Sequence, residues 1–243
     1  MTKPKITKKF NFIIQSKGGV GKSFLTYILG VKHEDNKDTY LLDVDGSTKT
    51  STKQLKFLHD QKRIGKIDLL DKQERIARDK LFGSIEEIAE LSYTNYILDF
   101  GAPECEQLPA LFSRDVNQED LKAFADYLNI ELVFHVIIAG GTAYTACVEY
   151  LNSIVRVVGK EFKIVVWMNE NTLLNYPQQI EEIHEHAKIL ELQIEKFGDV
   201  LTGSVFDIRI SQIMQRGLGL EGIDKSGQMI RVQMNKLTRD LII

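Results

Sequence analysis

The chain has 243 residues and a mass of 27.7 kDa, which suits one large α/β domain or two small ones, and a single core of this size needs no disulfide or structural metal. Hydrophobic residues make up 43% and charged residues 27%, with only four prolines and 17 glycines, which excludes a wholly disordered or collagen-like chain. Thirty-one basic against 34 acidic residues leave a net charge of −3, so the chain is no polycation and any nucleic-acid contact must come from a local patch.

In chain order, residues 9–15 read as a first strand, residues 16–21 as a glycine-rich loop and residues 22 to about 31 as a helix. Residues 40–43 form a short buried strand, and residues 66–70 are a candidate third. Helical patterning fills residues 73–91, and residues 96–99 are another buried strand that ends in an acid. An amphipathic helix over 120–128 is followed by a long apolar strand over 131–139, a helix over 142–158, a strand over 162–168 and a helix over 176–187. Residues 228–241 form a terminal helix, and residues 189–210 carry no decisive pattern. Apolar runs alternating with helical patterns predict an α/β fold, a doubly wound, mostly parallel sheet flanked by helices, in a single domain over residues 1–243. Cys105 and Cys147 form neither a CxxC pair nor a Cys/His cluster, which argues against zinc. No apolar run reaches the ~18–20 residues of a membrane span, and the polar start of the chain has no signal-peptide core. A cytoplasmic protein is expected.

The decisive segment is Ser16-Lys17-Gly18-Gly19-Val20-Gly21-Lys22-Ser23. It follows a strand and opens a helix, the context a phosphate-binding loop requires. Glycines let the backbone turn tightly, and the exposed N–H groups and helix N-terminus make a concave anion site. Lys22 would reach the β- and γ-phosphates and the Ser23 hydroxyl would ligate Mg²⁺. With six fixed letters at roughly 6% usage each, this pattern recurs by chance about once in 10⁷ positions.

Ser16 stands in the place of the usual first glycine, with Lys17 beside it. The segment thereby resembles the deviant Walker A loop of the ParA/MinD family of P-loop ATPases, and the resemblance runs across nearly the whole chain. It implies that Lys17 reaches across a nucleotide-sandwich dimer to the partner's phosphates. It implies ATP with Mg²⁺ as cofactors, bound through Gly18, Gly19, Val20, Gly21, Lys22, Ser23 and Phe24. In Leu42-Asp43-Val44-Asp45, Asp43 matches the family's Mg²⁺-shell position and Asp45 the one that orients the attacking water, although Gly46-Ser47 replaces the family's common Pro-Gln. Asp99, at the end of Tyr96-Ile97-Leu98-Asp99, matches the Walker B acid that holds the metal through water. Asn169 matches an asparagine that reads the adenine edge, with Asn171 as the fallback, and no Asn-Lys-x-Asp guanine motif stands at a strand end.

The resemblance implies an ATP-gated homodimer that hydrolyses slowly under the influence of a protein partner and serves DNA partitioning or plasmid transfer. An iron–sulfur relative is disfavoured, because no cysteine precedes residues 96–99. Non-specific DNA binding would use late basic residues, Arg209, Arg216, Lys225, Arg231, Lys236 and Arg239, against four acids in the same stretch. Two alternatives stay open: an adaptor without meaningful turnover, and a membrane-positioning protein whose basic terminal helix lies on lipid.

Overall fold

The structure, a computed structural model, describes residues 7–44, 50–69, 77 and 80–243. Its frame is a seven-stranded sheet in which every described pairing is parallel: β1 (Lys8–Ile14), β2 (Thr39–Val44), β3 (Ile64–Lys66), β4 (Asn95–Phe100), β5 (Ile130–Ile138), β6 (Lys163–Asn169) and β7 (Gln193–Phe197), in the spatial order β3-β2-β4-β1-β5-β6-β7. Central strands are covered on both faces, so they read as continuous apolar runs. Phe10, Phe12, Ile13 and Ile14 of β1 and Val133 to Ile138 of β5 are all buried.

The helices are α1 (Lys22–Lys32), α2 (Thr50–Gln54), α3 (Lys56–His59), α4 (Lys80–Ala89), α5 (Ala102–Ala110), α6 (Gln118–Leu128), α7 (Tyr144–Val158), α8 (Glu170–Leu173), α9 (Pro177–Ile189), α10 (Val205–Gln215), α11 (Leu220–Lys225) and α12 (Gln228–Arg239). Phe12 stacks on Phe100 and Phe134, and Phe134 meets Phe112 and Phe162 edge-on. The alternation of side chains along a strand sends Asn11 to the opposite face. There the Nδ2 of Asn11 donates to Asn95 Oδ1 at 2.8 Å and to the Tyr96 carbonyl at 3.0 Å, and His135 Nε2 lies 3.0 Å from Asn11 Oδ1. The Trp167 indole, which can only donate, reaches His135 Nδ1 at 2.8 Å. That fixes the tautomer: Nδ1 accepts and Nε2 carries the proton. Burial pushes the His135 pKa down to about 3, so a neutral ring serves as one link in a satisfied polar chain.

The terminal helix packs onto α1, α10 and α11. Ile230 and Met234 are buried, and Lys32 Nζ donates to the carbonyls of Thr238 at 2.9 Å, of Arg239 at 3.2 Å and of Leu241. Among the described residues no helix is long and apolar enough to cross a membrane.

Three sequence expectations shift. The third strand lies at Ile64–Lys66, ahead of the expected residues 66–70, because its partner register on β2 starts at Leu41↔Ile64. The helix expected over 73–91 is described from Lys80 to Ala89, and residues 73–76, 78 and 79 lie outside the described residues. The unassigned stretch 189–210 contains β7 and the start of α10.

Candidate nucleotide site

The strand order turns at β1. The chain goes from β1 to β2 on one side of it, and β4 and β5 then flank it. Ligands of open parallel sheets settle beyond the carboxyl ends of strands at such a switch point, and the glycine-rich loop leaves β1 there.

Gln15 fixes the entry to the loop. Its Nε2 donates to the carbonyls of Ile137 at 2.7 Å and Cys147 at 3.3 Å, and its Oε1 accepts from the Lys17 amide at 3.3 Å. The Gln15 amide donates to Cys105 Sγ at 3.3 Å, and burial pushes that thiol up to about 12. Gly19 sits at φ +76° and Gly21 at φ +101°, in the left-handed region where any Cβ is strained. Gly21 is doubly constrained, because a Cβ there would lie 2.7 Å from Asn169 Nδ2 and 3.3 Å from the Phe197 ring. Gly21 is also the N-cap of α1, with no side-chain cap and no acid in the first turn. The first N–H groups of α1 and its positive dipole end therefore remain available to an anion. Lys22 is 9% exposed, and its Nζ donates to the Gln15 carbonyl at 2.7 Å across the loop. Lys17 is exposed on the outer side. Ser23 is the second residue of α1.

Two acids stand across from the loop on neighbouring strands, with Asp43 and Asp99 paired in register. Asp99 is 3% exposed, and its Oδ1 has no hydrogen-bond partner, while Ser51 donates to its Oδ2. Burial pushes its pKa up to about 6, and Asp43 adds to the rise; the Ser51 hydrogen bond and the Lys22 cation act against it. Asp43 is held by Thr52, whose amide and hydroxyl reach its Oδ2 at 2.8 and 2.5 Å. Ser51 and Thr52, both in α2, did not emerge from the motif reading. Their signal was the run of hydroxyl residues after the acidic pair. An unpartnered buried carboxylate oxygen beside a second carboxylate fits a hard divalent cation. Among the described residues no cluster of three His, Cys, Asp or Glu side chains could cage a metal, so a cation here would draw its remaining ligands from phosphate, hydroxyl and water. Asp45, Gly46 and Ser47 lie outside the described residues.

On the other side of the loop, Asn169 ends β6 and is 7% exposed. Its Nδ2 donates to the Val20 carbonyl at 2.9 Å, and its Oδ1 accepts from the Thr172 amide at 3.4 Å and caps α8. A Cβ on Gly198, itself at φ +79°, would meet Asn169 Oδ1 at 3.2 Å and Phe24 at 3.9 Å. Val20, Gly21, Phe24 and Asn169 are thus brought together, joined by Phe197 and Gly198. These last two fall in the stretch the sequence left unassigned. Asn171 is exposed and accepts from the Thr202 hydroxyl at 3.1 Å.

No family model matches the chain, and no curated protein matches it. Among solved structures it is similar to a plasmid partition protein of Borrelia burgdorferi B31 bound to AMPPNP, with 13% identity over 95% of this chain and 99% of that one and a TM-score of 0.50. The MinD cell division protein of Aquifex aeolicus matches with 14% identity over 98% and 99% of the two chains, at a TM-score of 0.49. A ParA family ATPase of Chlorobium tepidum matches with 13% identity over 95% and 98%, also at 0.49. At such identities the first of these likenesses speaks to the fold: a parallel sheet flanked by helices, of the ParA/MinD P-loop type.

Proposed function

We propose that this chain, which carries the fold of ParA/MinD-type P-loop NTPases, binds ATP with Mg²⁺ at residues 16–24 and hydrolyses it slowly. The observation that carries this reading is the loop itself. Two left-handed glycines, an uncapped helix N-terminus and a buried lysine amine converge beside the orphaned oxygen of Asp99.

The Gly18–Ser23 amides would bind the phosphate oxygens, and Lys22 would exchange its bond to the Gln15 carbonyl for charge-assisted bonds to the β- and γ-phosphates. Ser23, Asp43 and Asp99 would hold Mg²⁺, which supplies neutralisation of charge on the triphosphate. Asp45 would orient the attacking water. Asn169 would hold the loop against the base side through Val20. Lys17, exposed at the mouth, would reach the triphosphate of a second subunit, so that ATP joins two chains and hydrolysis releases them. The work served is positioning or transfer of DNA, as in plasmid partition or mobilisation, with a protein partner that accelerates turnover. The docking of α12 onto α1 favours this over a membrane role, because two of its apolar residues are already buried.

Light scattering after size exclusion tests the reading. Wild type in Mg²⁺ and ATP should run at twice the monomer mass. Lys17→Ala should keep ATP binding by calorimetry yet remain monomeric. Absence of any calorimetric signal for ATP with wild type would refute the nucleotide site, and an ATP-driven dimer of Lys17→Ala would refute the reach across the interface.

A further inference from the structure

Charge is unevenly placed on this acidic chain. Residues 50–66 hold five of the 31 basic residues, Lys53, Lys56, Lys62, Arg63 and Lys66, and one acid, Asp60. A net +4 segment therefore sits in a chain of net −3.

Its backbone is anchored to the rest of the fold. Leu55 and Leu58 are fully buried, and the buried Arg63 guanidinium donates to the carbonyls of His33 at 2.9 Å, Asn36 and Glu34. The Phe57 amide donates to the Gly217 carbonyl at 3.0 Å, and a Cβ on Gly217 would lie 2.5 Å from the Lys53 carbonyl. That close packing sets exposed Arg216, the residue before Gly217, alongside the segment. Lys53, Lys56 and Lys62 are exposed, and none has an ion-pair partner among the described residues. Six surface cations elsewhere are neutralised: Lys122 by Asp126, Lys160 by Glu191, Lys225 by Glu221, Arg231 by Asp224, Lys236 by Asp199 and Arg239 by Asp240. Four of these belong to the late basic set from which DNA contact was expected.

The chemistry of the patch selects among partners. A lipid surface calls for apolar residues that insert beside the cations, and none of the exposed large hydrophobics lies in residues 50–69. Protein interfaces are depleted in lysine at their centres. Single strands call for exposed aromatic platforms, whereas the one aromatic here, Phe57, is half-buried with its ring edge-on to Tyr27. Lysine on an edge strand deters strand pairing, which accounts for Lys66 but not for Lys53 and Lys56 on helices. Unpaired lysines without apolar company are what a phosphate backbone requires.

We infer that the exposed face of α2, α3 and the turn into β3 is a sequence-independent docking surface for duplex DNA, contacting phosphates through Lys53, Lys56 and Lys62. The inference rests on the DNA half of the proposed function and is independent of the nucleotide site. The test is fluorescence anisotropy with a random-sequence duplex, with and without ATP and Mg²⁺, over a salt series. The proteins are wild type, K53Q/K56Q/K62Q and K225Q/R231Q/K236Q. The two triple variants change net charge equally, all six positions are exposed, and circular dichroism checks that each folds. The first variant should bind at least about tenfold more weakly, with a salt slope smaller by about three. The second should stay within about threefold of wild type, since its cations are already neutralised. Wild-type binding that K53Q/K56Q/K62Q retains, or that both variants weaken alike, overturns this surface and leaves the DNA reading standing. No binding by wild type in either nucleotide state overturns the DNA reading and this surface together.

Discussion

The two sides of the candidate site are built differently. On the side proposed for the phosphates, the pieces are backbone amides of a glycine-rich loop, one lysine and two strand-end acids, and several polar groups are left with capacity to spare: the first N–H groups of α1 and Asp99 Oδ1. On the side proposed for the base, around Asn169, the polar groups are engaged with one another, with Nδ2 on Val20 and Oδ1 on Thr172, while Asn171 is tied to Thr202. Unsatisfied buried groups are costly, so a fold that retains them on one side only has placed its binding energy there. The difference teaches that charge on the triphosphate, more than the edge of the base, should govern affinity.

Lys22→Ala should break that asymmetry most strongly. It removes the amine proposed to reach both phosphates and leaves the Gln15 carbonyl without its 2.7 Å donor. Charge-assisted bonds contribute about 1.5–3 kcal/mol each, so ATP affinity should fall on the order of 100-fold or more by calorimetry, with the fold intact by circular dichroism. A loss under threefold would mean that the lysine serves the loop and not the ligand.

Asp99→Asn should act next, and in opposite directions on stability and binding. The folded pKa, about 6, lies above the ordinary carboxylate value of 3.8. Above about pH 6 the carboxylate is ionised in both states and the folded protein bears the full cost of burying it. As pH falls from 6 towards 4 the folded state takes up the proton first, so the cost is relieved. The neutral amide should therefore stabilise the nucleotide-free protein near pH 7, on the order of 3 kcal/mol, and flatten the pH dependence of urea midpoints between pH 4 and 6. Mg²⁺ should at the same time cease to strengthen ATP binding. An Asn variant no more stable than wild type at pH 7 would show that the carboxylate is already compensated.

The same division governs what the sequence made legible. β1, β4, β5 and β6 were legible because burial on both faces demands unbroken apolar runs, and the loop because only glycine tolerates its φ values. Gln193-Ile194-Glu195-Lys196-Phe197 was not, because β7 is an edge strand with polar residues at three of its five positions. The helix after it did leave a mark, Ser204 capping the Asp207 amide, but one cap without a strand before it fixes no topology. Gln15 was invisible for another reason, and the hydroxyl run that holds Ser51 and Thr52 assigned no role to either. Their roles depend on long-range partners, Ile137 and Cys147 for the first, Asp99 and Asp43 for the other two, and no local pattern encodes those distances. The base side was the least legible part, since Phe197 and Gly198 approach Asn169 only through the pairing of β6 with β7.

The smallest effect is expected at Asn169 itself, and it separates holding the loop from reading the base. Asn169→Ala deletes the 2.9 Å bond to Val20 and the cap of α8, and leaves the Val20 carbonyl short of a donor beside Gly21. Losing one such bond and one cap costs about 1–2 kcal/mol of stability. A loosened loop binds every triphosphate less well, so ATP and GTP affinities should fall together, by about tenfold, with their ratio moved by less than about threefold. Competition calorimetry with both nucleotides gives the ratio directly. A selective loss of ATP, with GTP unaffected, would assign the amide to the adenine edge and would mean that its bond to Val20 yields when nucleotide arrives. The substitution Gly198→Ala offers a control, because it presses a methyl 3.2 Å from Asn169 Oδ1 at a φ of +79° and so displaces the asparagine without removing its amide. If the loop-holding role is the dominant one, both variants should weaken the two nucleotides in parallel.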